Sequence, residues 1–117
     1  MLTRYDSNNR YSKAVVANGF AFLAGLTAED TTVGIEEQTA SIVKQIDDYL
    51  ARAGASKDDM VSVNIWLTSM SDAPGMNKVW EKWVSPGKVP ARATVESKLA
   101  TPDTLIEIMV QAVIPSK

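Results

Sequence analysis

A chain of 117 residues, 45% hydrophobic and 22% charged, is long enough to bury a core and reads as one domain spanning residues 1–117. Its formal net charge of -2, with Lys and Arg scattered along the chain, offers no electrostatic footprint for nucleic acid or an anionic membrane. Cys and His are both absent, which removes disulfides, Ser-His and Cys-His dyads and thiolate or imidazole metal sites, and leaves acid-base work to Glu, Asp, Lys, Tyr or bound water.

Leu2-Thr3-Arg4-Tyr5 opens the chain as a short strand without the apolar core of a signal peptide. No stretch approaches the roughly eighteen consecutive apolar residues of a membrane span, so the chain reads as cytoplasmic. Residues 13–17 and 20–25 flank Asn18-Gly19, two residues that tolerate positive φ, and this pattern predicts a tight hairpin. Tyr11 lies just ahead of it and is a packing residue on residue type alone. Residues 25–34 read as a polar loop. Ile35, Thr39, Ile42, Val43, Ile46, Leu50 and Ala53 then recur at helical spacing, with Glu36 and Glu37 in the first turn, Arg52 in the last and Gly54 as terminator. Such a helix is roughly 28 Å long, enough to cover a sheet.

Val61, Val63, Ile65 and Leu67 alternate with Ser62, Asn64, Trp66 and Thr68, giving a strand with one aliphatic and one mixed face. Asp72 is placed to cap a second helix, with Pro74 in its first turn and Met76, Val79, Trp80, Trp83 and Val84 at helical spacing, until Ser85-Pro86-Gly87 ends it. In the last third, residues 89–96 and 105–114 read as two strands. The second is apolar on nearly both faces and is expected to be buried on both sides. In the first, Arg92, Thr94 and Glu96 share one face, while Ala91, Ala93 and Val95 share the other. A guanidinium on such a strand must find an anion. That anion is either Glu96 or Glu107 in a structural ion pair, or a substrate carboxylate gripped by the planar fork of donors.

The element order predicts a two-layer α+β domain, a mixed sheet with two helices on one face. The opposite face carries Trp66, Met109 and Val113, too apolar for water, and is expected to meet another subunit.

Several short motifs occur in a telling order: Asn18-Gly19 through Gly25, Glu37-Gln38-Thr39, Ala53-Gly54-Ala55-Ser56 with Asp58-Asp59, then Val63, Leu67 and Thr68. Asn77, Pro90-Ala91-Arg92-Ala93-Thr94-Val95-Glu96 and Ile106-Glu107-Ile108 complete the series. On these residues nearly the whole chain resembles the Rid family, the enamine/imine deaminases of RidA type once called YjgF.

The resemblance implies a chorismate-mutase-like (YjgF-type) fold assembled as a homotrimer with sites between subunits. It implies hydrolysis of small imino or enamino acids, such as 2-aminoacrylate, to a 2-keto acid and ammonia, with no metal or organic cofactor; the charge balance, not the resemblance, argues for no nucleic-acid and no membrane partner. By position it assigns Arg92 to the substrate carboxylate, Glu107 to the attacking water, and Tyr11, Ala24, Gly25, Asn77, Ala93 and Thr94 to substrate binding. Ala24 stands where the family often has Ser, Thr94 where it often has Cys, and Met109 where it often has a second Glu. The resemblance implies that neither Ala24 nor Thr94 removes a group the chemistry requires, that Thr94 alters the shape of the pocket, and that Met109 marks a divergent subgroup. A pathway deaminase of the 2-aminomuconate or 3-aminoacrylate kind, or a non-catalytic binder of keto-acid metabolites, also fits the family. An RNA-directed role gains little support from the acidic balance.

Overall fold

The computed structural model describes residues 2–116; Met1 and Lys117, the two ends of the domain read from the sequence, lie outside the described residues. Strands β1 (Thr3–Ser7), β2 (Ser12–Ala17), β3 (Phe20–Leu23), β4 (Met60–Leu67), β5 (Ala91–Glu96) and β6 (Ile106–Val113) form one sheet in the order β1-β2-β3-β6-β4-β5. Only β4 and β5 run parallel; every other neighbouring pair is antiparallel. Helices α1 (Ile35–Ala53) and α2 (Ala73–Trp83) cover one face.

The hairpin turns where Asn18 and Gly19 both take positive φ, 51° and 78°, as the twist of a two-residue turn demands. Helix α1 has the bounds its periodicity predicts. Its stripe of Ile42, Val43, Ile46 and Leu50 is buried, and Gly54 ends it at φ 91°, its N–H folding back on the carbonyls of Leu50 and Ala51. Against this stripe stand Ala14, Ala21, Leu23, Val63, Ile65, Leu67, Ile106, Ile108, Val110 and Ala112, none more than 3% exposed. Among the described residues no helix is long and apolar enough to cross a membrane.

Three expectations are corrected. In this single chain β6 is buried only toward the helices; Glu107, Met109 and Gln111 on its other face are half-buried and Val113 is 40% exposed. Residues 25–34 are not simply a polar loop, because Leu26 is fully buried and exchanges two backbone hydrogen bonds with Ile108, at 2.8 and 3.0 Å. Asp72 precedes α2 but makes no side-chain cap. The helix instead follows a 3-10 turn at Met70–Asp72, whose start the Ser69 hydroxyl caps by accepting from the Ser71 N–H. Asp72 thus holds the N-cap position of α2 without using its side chain there.

The edge strand β1 is fastened to the end of α1 by Asp6, a non-glycine residue at φ 52°. Its carboxylate accepts from both Arg52 amino groups, at 2.9 and 3.1 Å, and from the Tyr49 hydroxyl at 2.6 Å. The Arg52 guanidinium, followed by Tyr49, lowers the Asp6 carboxyl to about 2.

Candidate active site

Alternation along β6 sends Ile106 and Ile108 into the core and Glu107 to the open face of the sheet, where its register partner on β4 is Trp66. On the other flank of β6 the chain leaving β3 is held at two points. The Ala24 N–H donates to the Lys13 carbonyl at 2.8 Å, and Leu26 is bridged to Ile108. Gly25 between them is pressed against the glutamate. A Cβ built there would stand 2.9 Å from the Glu107 carboxyl carbon and 3.2 Å from its Cγ, and closer still to Oε2. A side chain at position 25 would therefore have to displace the Glu107 carboxylate.

Around this contact lies a cleft of about 470 Å³ lined by Tyr11, Lys13, Ala24, Gly25, Thr27, Ala100 and Glu107. Tyr11 is 50% exposed, so it is not the packing residue its type suggests. It is held by a turn in which its N–H donates to Asn8 Oδ1 at 3.1 Å and its carbonyl accepts from the Asn8 N–H at 2.9 Å. The Lys13 ammonium stands 5.6 Å from the centre of the Tyr11 ring. Ala100 comes from the connection between β5 and β6, and a buried side chain of α1 secures that connection. The Gln38 amide donates to the carbonyls of Val33 and Asp103, at 3.0 and 2.9 Å, and accepts from the Leu105 N–H at 3.0 Å. Burial of a polar amide is tolerated because every group on it is used.

The remaining assigned residues lie elsewhere. The parallel register Val63↔Arg92, Asn64↔Ala93 and Ile65↔Thr94 turns Arg92 and Thr94 toward the helices and Ala93 toward the open face. Arg92 rests on α2, its Nη1 3.9 Å from Met76 Sδ and its Cζ 5.7 Å from the centre of the Trp80 ring. Asn77, half-buried, follows Met76 on that helix. The structural ion pair weighed for Arg92 is not formed. No carboxylate lies within 4.0 Å of its guanidinium among the described residues, and Glu96 accepts instead from the Met70 N–H at 2.9 Å. The Thr94 hydroxyl is buried without a hydrogen-bond partner.

One chain thus brings together Tyr11, Ala24, Gly25 and Glu107, and holds Arg92, Thr94 and Asn77 on the other side of the sheet. Two strand spacings, about 10 Å, separate β6 from β5. Sequence reasoning missed Lys13, Thr27 and Ala100. Lys13 was legible as a charge alternating with the core residue Ala14; Ala100 has no local signal, because only the Gln38 anchorage brings its loop to the cleft. Among the described residues no group of three or more Asp or Glu side chains could hold a metal ion.

Residues 1–114 match the family model described as Endoribonuclease L-PSP. A RutC family protein of Haemophilus ducreyi is 36% identical over 114 residues, covering 97% of both chains. The RutC family protein YoaB of Escherichia coli K12 is 33% identical over 113 residues, covering 97% of this chain and 98% of its own. Among solved structures, a YjgF family protein of Neisseria meningitidis superposes with a TM-score of 0.95 at 40% identity, over 100% of this chain and 98% of the other. With the same fold and near-complete coverage on every side, the chain belongs to the family known as Endoribonuclease L-PSP, or YjgF/RidA.

Proposed function

We propose that the protein is a hydrolytic deaminase of reactive 2-imino and enamino acids, working as a homotrimer whose clefts are completed by Arg92 of a second copy. The observation that carries this reading is the division of charge within one chain. Glu107 is wedged against the Gly25 backbone in an open cleft, while Arg92, with no carboxylate beside it among the described residues, waits across the sheet. Each half lacks what the other has. Family membership supports a small-molecule site, and the apolar open face of the sheet supports a partner copy.

In this reading the partner subunit's Arg92 grips the substrate carboxylate and sets the C=N carbon over Glu107. Glu107 takes a proton from water as the water oxygen bonds to that carbon, and the C=N pair moves to nitrogen, which takes a proton from solvent to give a carbinolamine. Glu107 then returns its proton to nitrogen; the C–N bond breaks, ammonia leaves, and the hydroxyl gives its proton to solvent to become the ketone. The balance is R–C(=NH)–COO⁻ + H₂O → R–CO–COO⁻ + NH₃. Imines hydrolyse unaided, so positioning and one proton shuttle, about 10²–10⁴-fold for the latter, are enough. The family's description names a nuclease, but a chain of net charge -2 without His offers neither a phosphate-binding surface nor an imidazole for that chemistry.

The test is release of keto acid from 2-imino acids generated in place by an amino-acid oxidase. Wild type is expected to accelerate it, and Arg92→Ala to lose about 10²–10³-fold in kcat/KM while remaining assembled, as befits removal of one partner of a desolvated charge pair. A wild-type rate equal to the uncatalysed one on every imine overturns the reading.

A further inference from the structure

Lys13 is a cation that the deaminase mechanism above does not use. Strand β2 alternates the buried Ala14 toward the helices and Lys13 toward the open face, and the Lys13 carbonyl receives the Ala24 N–H, so its backbone is fixed one residue from Gly25. Its side chain is half-buried, lines the same cleft as Glu107, and stands over the Tyr11 ring at 5.6 Å. It forms no ion pair within 4.0 Å among the described residues. Of the acidic groups around it, Glu107 shares the cleft but forms no ion pair with it among the described residues, and Asp6 on the neighbouring strand is held by Arg52 and Tyr49, with Lys13 only the last contributor to its lowered carboxyl. Lys13 and Glu107 line one cleft of about 470 Å³, and an ammonium there with no ion-pair partner among the described residues can receive an anion brought in by the substrate.

We propose that Lys13 sets specificity by binding a second, side-chain carboxylate, so that the preferred substrates are dicarboxylic 2-imino acids of four or five carbons. This rests on the deaminase reading of the cleft. Arg92 from the partner copy then holds the α-carboxylate, Glu107 serves the C=N carbon between, and Lys13 fixes the distal charge. The acyclic imino acids made by oxidation of aspartate and glutamate have this spacing of charges; those of alanine and leucine have only one.

The experiment compares wild type, Lys13→Gln and Lys13→Glu on two readouts. One is kcat/KM for the imino acids of glutamate, aspartate, alanine and leucine. The other is calorimetric binding of the stable products 2-oxoglutarate and 2-oxobutyrate. Wild type is expected to favour the dicarboxylic member of each set by about tenfold. Lys13→Gln abolishes that preference, the ratio of dicarboxylic to monocarboxylic kcat/KM falling to about one through KM, and Lys13→Glu inverts it. A wild type without dicarboxylate preference, or a preference that survives Lys13→Gln, overturns the assignment. If no imine is hydrolysed but 2-oxoglutarate binds preferentially and loses that preference in Lys13→Gln, the deaminase reading falls and the assignment of Lys13 stands.

Discussion

On the side of the sheet that faces the helices, Ile65, Leu67, Ile106, Ile108 and Val110 are fully buried against α1 and α2. On the opposite side, Phe20, Phe22 and Val113 remain 39–40% exposed, and Trp66, Met109 and Glu107 are half-buried. The first side is complete within one chain and carries its stability. The second is left unfinished, and that is where the cleft with Glu107 opens. Arg92 makes the contrast sharper, since it hangs from the helix side of the edge strand β5, beyond the reach of its own chain's glutamate. Strand alternation alone produces this separation: two residues of opposite parity relative to the core cannot meet through a sheet.

The comparison can be broken by substitution on either side. Ile65→Ala, inside the finished layer, is expected to cost about 3 kcal/mol in urea denaturation, because the cavity is walled on all sides. Phe22→Ala, on the open layer, is expected to weaken self-association in sedimentation while leaving the circular dichroism spectrum unchanged; equal effects of the two would dissolve the distinction. Gly25→Ala introduces a methyl where the Glu107 carboxyl carbon lies 2.9 Å away, so activity should fall about 100-fold with the fold retained. Retained activity would mean that the placement of Glu107 is not what the cleft depends on.

The smallest effect is electrostatic and belongs to neither layer. Asp6 is lowered to about 2 from 3.8, so the stabilisation it brings is full above the unfolded value and is lost as pH falls from about 4 to about 2. Asp30 and Asp103 are lowered too, each chiefly by a threonine hydroxyl, and act in the same direction. Asp6→Asn is expected to flatten part of that acid limb in pH-dependent unfolding and to leave stability above pH 5 changed only by the lost surface pair. An unchanged limb would show that the fastening of β1 contributes nothing.

Much of the fold was legible because its signals are periodic. The stripe from Ile35 to Ala53 and the Asn18-Gly19 turn fix their own boundaries. The alternation of residues 91–96 correctly grouped Arg92 with Thr94 and Glu96, but only pairing with Val63 and Ile65 tells which group faces the helices. Leu26 was hidden because a single buried residue in a loop has no period to betray it, and Asp72 takes the N-cap position of α2 without a side-chain hydrogen bond because a 3-10 turn leads into the helix. Of the residues the resemblance assigns, Tyr11, Ala24, Gly25 and Glu107 line one cleft while Arg92 does not; Lys13 and Ala100 were obscure because they reach the cleft only through tertiary packing.

The central claim is that each site is shared between two copies, and mixing two defective chains tests it most directly. Arg92→Ala and Glu107→Gln are each expected to be inactive alone. Dissociated and reassembled together in equal amounts, they should regain about a quarter of wild-type deaminase activity, the fraction of cleft pairs that join an intact Glu107 to an intact Arg92. A mixture as inactive as its parents, with mixed assemblies demonstrated by differently tagged chains, would contradict the account.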